Sequence, residues 1–151
     1  MLLQSKNAII YGAGGAVGSA VASAFAREGA RVFLTGRKLS AVDALAKDIS
    51  AAGGAAETAE VDALDEQAVE NHITAVGAKA GRIDISFNAI GIPQQGIQGI
   101  PLTELSVESF SLPITTYARA HFVTARAAAR RMVEQRSGVI RKTSPHPVWS
   151  A

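Results

Sequence analysis

The sequence predicts an α/β fold in which a parallel sheet carries helices on both faces. Short aliphatic runs alternate along the chain with longer segments of helical periodicity. Glycines follow several of these segments and mark where the elements end. Because neighbouring parallel strands require a crossover between them, regular alternation of strands and helices is typical of parallel sheets.

The first elements are a strand, a glycine-rich turn and a helix within residues 7–28. The chain from Asn7 fits a buried strand that leads into a glycine-rich turn ending at Gly18, and residues 19–28 favour a helix. Between them stand Gly12, Gly14, Gly15 and Gly18, which permit a tight turn and a close approach of the backbone to a ligand. The apolar residues that recur at helical spacing, and that we expect to pack this helix on the sheet, are Val17, Ala20, Val21, Ala24 and Phe25.

This turn is predicted to bind the pyrophosphate of a dinucleotide. The first amides of a helix have no carbonyl partner within the helix, and the helix dipole is positive at that end. A glycine pattern alone is a weak signal, because a purely structural turn can produce it. Its position between a strand and a helix favours the dinucleotide.

The rest of the chain continues the alternation. Strands are predicted over residues 31–36, 55–61 and 83–90 and from residue 138 onward, and helices over residues 40–52, 65–80, 102–110 and 115–134. The apolar residues expected on one face of the last helix are Phe122, Ala125, Ala129, Met132 and Val133. Residues 91–101 are rich in glycine and proline, so we expect a loop, and such loops often carry function.

Composition narrows the classes of protein. The 151 residues suit one domain, and 48% of them are hydrophobic, as in a globular core. Neither a signal peptide nor a membrane span of about 20 apolar residues is present, so we expect a cytoplasmic protein. A net charge of +2 from dispersed basic residues argues against nucleic-acid binding. The chain has no cysteine, and His72, His121 and His146 share no metal-ligand spacing, so no metal site is predicted and packing or surface roles are expected.

Three motifs resemble those of the short-chain dehydrogenase/reductase family. Tyr11 to Gly18 resembles the family's Thr-Gly-x-x-x-Gly-x-Gly, Asp62 closes the third strand, and Phe87-Asn-Ala-Ile-Gly91 resembles Asn-Asn-Ala-Gly. The resemblance covers residues 6–140. It implies a Rossmann-type, doubly wound sheet of strand order 3-2-1-4-5, an NAD(P)-binding domain over residues 1–140, and descent from carbonyl reductases or alcohol dehydrogenases.

The first motif departs from the family in two places. Tyr11 replaces the usual Thr and Ala16 replaces the middle glycine, so the turn must be supported differently. The glycine spacing also fits the longer subtype of the superfamily, which modifies sugar nucleotides. The Asn88 to Gly91 motif favours the shorter subtype.

The resemblance implies roles for individual residues. Amides near Gly15, Val17 and Gly18 would hold the pyrophosphate, and Asp62, beside the Ala63 amide, would accept from the adenine amino group. The alternative for Asp62 is a helix cap or a turn. Asn88 would tie the fourth strand to its neighbours and border the adenosine ribose. The full predicted cofactor set is Gly12, Gly14, Gly15, Val17, Gly18, Arg37, Asp62, Ala63, Asn88, Ala89 and Gly91.

The residue after the second strand predicts which dinucleotide is preferred. NAD-specific sites place a carboxylate there to accept from the ribose 2′-hydroxyl. Arg37 and Lys38 instead offer cationic donors, and a guanidinium binds phosphate with two aligned hydrogen bonds. NADP(H) is therefore predicted over NAD(H). The alternative is a solvated basic turn at the surface.

No catalytic residue is predicted. In the family, hydride transfer depends on a Tyr, a Lys four residues later, a Ser and often an Asn, and the Lys lowers the pKa of the Tyr so that its phenol can exchange a proton with the substrate. The only tyrosines are Tyr11 and Tyr117, which are followed four residues later by Gly15 and His121. Residues 115–117 also depart from the family's Asn position. Ser144 lies near the position of the family serine but adjoins Pro145, so we assign it no catalytic role.

Residues 141–151 are expected to be an irregular tail. Arg141 and Lys142 would interrupt a buried central strand, and Pro145 and Pro147 cannot donate to a sheet. We hypothesise that the chain leaves its ancestral sequence near Ile140 by truncation or a frame shift. The alternative is an evolved short form with a disordered terminus.

Three functional interpretations follow. The chain is a family oxidoreductase that has lost activity, a non-catalytic nucleotide-binding or interaction module, or a non-functional truncated product. The substrate is not specified by the sequence. Because the resemblance implies that helix 115–134 packs on its copy in another subunit, we also expect self-association through this helix, in altered form.

Overall fold

The computed structural model of the protein describes residues 1–92, 94 and 96–143. The elements in chain order are β1 (Asn7–Tyr11), α1 (Ala16–Arg27), β2 (Arg31–Gly36), α2 (Leu39–Ala51), β3 (Ala55–Glu60), α3 (Glu66–Ala80), β4 (Ile85–Asn88), α4 (Val107–Gln135) and β5 (Val139–Lys142). Strands and helices thus alternate as the sequence predicts, except where α4 replaces two helices.

The five strands form one parallel sheet in the order β3-β2-β1-β4-β5. Successive residues of β1 point to opposite faces of this sheet. Ile9 and Tyr11 belong to the core under α3 and α4, whereas Ala8 and Ile10 belong to the core under α1 and α2. The doubly wound fold and its strand order are therefore confirmed.

Helix α1 packs on a stripe that matches the expected one only in part, because Val21 and Phe25 are half-buried against the core under α1 and α2 as expected. Its buried residues are Gly18, Ala22 and Ala26, and the Val17 side chain is 52% exposed. The helix begins at Ala16, before the last glycine of the motif, so Gly18 lies inside it. A residue without a side chain allows the closest approach, and the sheet-facing stripe therefore starts at this glycine.

Helix α4 is one continuous helix, so the separate helix expected over residues 102–110 is wrong. Pro113 is buried within its second turn, a position that a proline ring normally disfavours. The buried face also differs, because Phe122 is 60% exposed and Val133 is 76% exposed. Met132 is buried as expected, and the other buried residues include Ala120, Val123, Thr124, Ala127 and Ala128. None of the described helices, α4 included, has the length and apolar composition that crossing a membrane requires.

Strand β5 continues through the residues that were expected to interrupt it. Arg141 pairs with Phe87 and Lys142 pairs with Asn88 in the parallel register. All four β5 residues are exposed, because within the described residues β5 pairs only with β4 and forms an edge of the sheet. Charged side chains suit an exposed edge. The expected tail is thus wrong at Arg141 and Lys142, and residues 144–151, with Ser144 and His146, lie outside the described residues.

Candidate functional site

Two adjoining cavities lie at the carboxyl ends of the strands. The first, of about 420 Å³, extends from the end of β3 past β1 to α4. The second, of about 490 Å³, lies between the glycine turn and the start of α2. Both are lined by Gly12, Gly15, Gly36 and Arg37. Because β1 stands between β2 and β4, the cavities lie where the strand order reverses, the usual ligand position in open α/β sheets.

The glycine turn depends on two of its glycines for different reasons. Gly12 has a φ of +72°, a conformation that favours glycine. At Gly18, a Cβ atom would lie 2.2 Å from the carbonyl oxygen of Gly12 and 2.8 Å from the Cα of Ala13. Both are backbone atoms that a side chain cannot displace without moving the turn. The turn therefore packs on the first turn of α1 only because position 18 has no side chain.

The start of α1 offers backbone donors and no competing anion. Gly15 precedes the helix without a side-chain cap, and its own amide donates to the Gly12 carbonyl at 3.2 Å. The first turn of α1 contains no acidic residue. By helix geometry the amides of Ala16, Val17 and Gly18 have no carbonyl acceptor inside the helix. This arrangement suits an anion such as a pyrophosphate, with Val17 contributing only its amide.

Arg37 lies at the junction of the two cavities. It follows β2, is exposed, and lines both of them, while Lys38 lines the second. Neither forms an ion pair within the described part of the chain. Gly14 lines the second cavity too, where a Cβ on it would lie 3.1 Å from the Cβ of Ala41. Two cations and the glycine turn therefore line the same cavity.

Asp62 and Ala63 follow β3, the strand paired with β2, and also line the first cavity. One carboxylate oxygen of Asp62 accepts from the Leu64 amide at 2.9 Å, so the residue does stabilise a local turn. The helix cap is Asp65 instead, whose carboxylate accepts from the Ala68 amide at 3.0 Å. Asp62 is exposed and its second oxygen has no bond within the described residues, so it can still accept from a ligand.

Asn88 and Ala89 lie behind the cavity wall, and neither lines it. The Asn88 side chain is buried and donates to the Thr124 hydroxyl at 2.9 Å and to the Ala120 carbonyl at 3.3 Å. Its oxygen accepts from the Ile90 amide at 2.9 Å. The Ala89 amide donates to the Tyr11 carbonyl at 2.9 Å. These two residues hold β4 to its neighbours, and Ile90 and Gly91 of this motif line the cavity.

Several residues that line the first cavity were not predicted from the sequence. They are Thr35, Gly36, Val61, Leu64, Ile90, Ile92, Thr116 and Ala120. Thr116 and Ala120 stand one helical turn apart on α4. This spacing predicts that they share a face of the helix, and it is the only feature of the sequence that relates them. Nothing local shows which face of α4 meets the cavity, because that depends on how the helix packs.

A second polar cluster lies where α4 meets β5. The Tyr117 hydroxyl donates to the Thr143 carbonyl at 2.7 Å, and the Lys142 ammonium donates to that hydroxyl at 3.4 Å. The His121 ring packs against Tyr117 with centroids 4.2 Å apart. Burial lowers the pKa of His121, and the Lys142 charge acts in the same direction, whereas a hydrogen bond to the Ile90 backbone opposes the shift. Tyr117, His121 and Lys142 do not line either cavity.

Comparison with known proteins gives consistent matches. A family model described as short chain dehydrogenase matches residues 6–145. D-threitol dehydrogenase from Mycolicibacterium smegmatis is 31% identical over 138 residues, which are 91% of this chain and 52% of that protein. Gluconate 5-dehydrogenase from Gluconobacter oxydans is 33% identical over 138 residues, with the same coverage of 91% and 52%. The chain thus spans about half the length of these relatives.

Solved structures agree with these matches. A metagenomic short-chain oxidoreductase in complex with NADP superposes with a TM-score of 0.85 at 30% identity, covering 100% of this chain and 67% of that chain. A short chain dehydrogenase from Burkholderia cenocepacia in complex with NADP has a TM-score of 0.74 at 30% identity, covering 87% of this chain and 52% of that one.

Proposed function

We propose, on the premise that the chain belongs to the short-chain dehydrogenase/reductase family, that its two cavities bind NADP(H) in preference to NAD(H). The observation that carries the proposal is the position of Arg37. This cation follows β2, borders both cavities and has no acidic partner among the described residues. A carboxylate at this position would repel a 2′-phosphate, whereas a guanidinium binds one.

The remaining residues fit the rest of the dinucleotide. The amides of Ala16, Val17 and Gly18 would hold the pyrophosphate at the start of α1. Asp62 would accept from the adenine amino group, and the Ala63 amide would lie beside it. Asn88 and Ala89 would act indirectly, by holding the segment that leads to Gly91. When bound, the dinucleotide would supply or accept a hydride.

Titration with NADPH and NADH tests the cofactor proposal. We expect NADPH to bind at least about tenfold more tightly, and Arg37→Ala to bring the two affinities close together. Lys47→Ala is the matched control, because Lys47 is an exposed cation of α2 that lines neither cavity. Equal or tighter binding of NADH would refute the preference alone. Failure to bind either form would refute the dinucleotide site itself.

We propose further that this 151-residue chain does not turn over alcohols or carbonyls. The support is that neither tyrosine is followed by a lysine four residues later. The family motif that performs proton transfer is therefore not found in this sequence. General acid–base catalysis commonly raises the rate by about 10²–10⁴. A panel of alcohols and carbonyls with the preferred cofactor should give only background absorbance change. Turnover that is lost in Tyr117→Phe would contradict this proposal and make Tyr117 the proton donor.

Self-association through α4 is a separate proposal. Phe122 and Val133, 60% and 76% exposed, stand eleven residues apart and therefore on one side of the helix. Exposed apolar side chains that line up in this way favour association. Sedimentation should give a concentration-dependent mass that falls to the monomer in a Phe122→Lys, Val133→Lys double variant. A sharply defined tetramer that survives both substitutions would refute the role of this face.

A further inference from the structure

Three exposed apolar side chains line up along the first turns of α4. Val107, Phe110 and Ile114 are 74%, 57% and 50% exposed. With about 3.6 residues per turn, they share one side of the helix with Tyr117 and His121, all five within about 80° of one another. We call the first three residues the α4 stripe. They line neither cavity, so the stripe is separate from the proposed cofactor site.

The chain leaves β5 directly beside the lower end of this stripe. The Thr143 carbonyl, which follows β5, accepts from the Tyr117 hydroxyl at 2.7 Å. At the other end of α4, the Gln135 side chain accepts from the Ile83 amide at 2.9 Å, just before β4 begins. Helix α4 therefore runs antiparallel to both strands. A chain that continues past Thr143 in the direction of β5 passes along α4 from Tyr117 towards Val107.

Residues 144–151 suit the stripe in their chemistry and in their reach. They comprise two prolines, a valine, the only tryptophan, Trp149, and small or polar residues, with no Asp, Glu, Lys or Arg among them. The stripe is likewise uncharged. Trp149 is six residues beyond Thr143, a span of at most about 20 Å. The distance along the helix from Tyr117 to Val107 is about 15 Å. Trp149 can therefore reach every residue of the stripe.

We propose that residues 144–151 pack on the α4 stripe, with the Trp149 ring covering Phe110 and Ile114. An indole ring offers a large apolar area and pairs well with another aromatic ring. The segment thereby covers apolar side chains whose exposure otherwise favours association. Because Thr143 is already fixed beside Tyr117, the segment meets the stripe at a high effective concentration, which favours it as the occupant over a second copy of the chain.

The fluorescence of Trp149 tests this contact in the full chain. Since Trp149 is the only tryptophan, the emission reports on that position alone. We expect a blue-shifted emission maximum and weak quenching by acrylamide, both unchanged on dilution. In the double variant Phe110→Gln, Ile114→Gln, each lost apolar contact should lower the docking equilibrium constant about tenfold. Its emission should therefore move to the red, and its quenching should approach that of free N-acetyltryptophanamide.

The double variant Phe122→Gln, Val133→Gln is the matched control. It also replaces one aromatic and one aliphatic side chain of α4, which are 60% and 76% exposed on another side of the helix. Its emission should equal that of the unmodified chain. Far-ultraviolet circular dichroism checks that α4 stays folded in both variants, and Phe110→Gln alone gives a milder second test, with an expected change of about tenfold.

Three results would overturn the inference. The first is emission typical of a fully exposed tryptophan in the unmodified chain. The second is emission that is the same in the folded Phe110→Gln variants as in the unmodified chain. The third is a red shift on dilution, which would place Trp149 on a second copy of the chain instead of on its own α4.

Discussion

The side-chain amide of Asn88 donates a hydrogen bond of 2.9 Å to the hydroxyl of Thr124, and both residues are buried. The bond joins β4 to the middle of α4. Through the Asn88 oxygen it also reaches the amide of Ile90, where the cavity wall begins. The family resemblance associates Asn88 with the ribose, whereas in this structure its side chain forms its hydrogen bonds within the protein.

We expect this bond to contribute measurably to the free energy of unfolding. Thr124→Val keeps the shape of the side chain but removes the acceptor, so it should destabilise the protein by about 1–2 kcal/mol. In a double-mutant cycle with Asn88→Ala, denaturant unfolding should give a coupling energy of about 1 kcal/mol. Additive effects would show that the two side chains do not stabilise each other.

The two helical glycines should respond in opposite directions to alanine. Gly18→Ala places a Cβ atom 2.2 Å from the Gly12 carbonyl oxygen, and we expect a loss of about 3 kcal/mol, the upper end of overpacking effects. Gly77 lies in α3, and a Cβ there would have no neighbour within 4 Å. Gly77→Ala should therefore stabilise by about 0.5–1 kcal/mol, from helix propensity alone. Thermal unfolding of both variants measures the difference. A Gly18→Ala protein as stable as Gly77→Ala would contradict the close packing of the turn.

Protonation of His72 should destabilise the protein in mild acid. Burial lowers the pKa of His72 from 6.5 to about 4. Between these values the unfolded chain binds a proton that the folded chain does not, so stability falls as the pH falls from about 6.5 to about 4. Above this window both states are neutral, and below it both are protonated. We expect the free energy of unfolding to fall by about 2–3 kcal/mol between pH 6.5 and pH 4.

Unfolding at several pH values in His72→Gln isolates this contribution. The variant cannot take up the proton, so its stability should depend less steeply on pH than that of the unmodified chain over the same window. Carboxylates titrate in both proteins and cancel in the comparison. Parallel curves for the two proteins would mean that His72 does not titrate on unfolding.

Removing the hydroxyl from each tyrosine should have opposite consequences. The Tyr11 hydroxyl is buried without a hydrogen-bond partner among the described residues, and burial, assisted by the Glu70 charge, raises its pKa. Tyr11→Phe should stabilise by about 1 kcal/mol, because an unsatisfied buried polar group is removed. Tyr117→Phe loses the 2.7 Å bond to the Thr143 carbonyl and should destabilise by about 0.5–1.5 kcal/mol. Denaturant midpoints measure both, and a Tyr11→Phe loss as large as that of Tyr117→Phe would indicate an internal partner for Tyr11.

The sequence by itself determined the elements whose signals are local. The strand β2 was predicted with the bounds it has, and β1 was predicted to begin at Asn7 and to lead into the glycine turn, because each combines an apolar run with a following glycine or glycine-containing turn. The turn at Gly12 to Gly18 was also predictable, since a positive φ and a close backbone approach both require glycine. The positive charge of Arg37 beside the predicted site could also be read from the sequence, because the residue directly follows the second strand. The strand order came from the family resemblance and not from any local pattern.

The tertiary structure decided which surfaces meet. An alanine-rich helix is apolar on more than one side, so the periodicity of α4 could not show that Ala120 and Thr124 face the core while Phe122 faces out. Arg141 and Lys142 fit a strand because β5 pairs only with β4 among the described residues, and which strands pair is a property of the sheet. The packing of α4 on the sheet likewise brings Ile90, Thr116 and Ala120 together at the wall of the first cavity. Contacts between residues far apart in sequence depend on how the elements pack, whereas turns and caps depend on a few neighbouring residues.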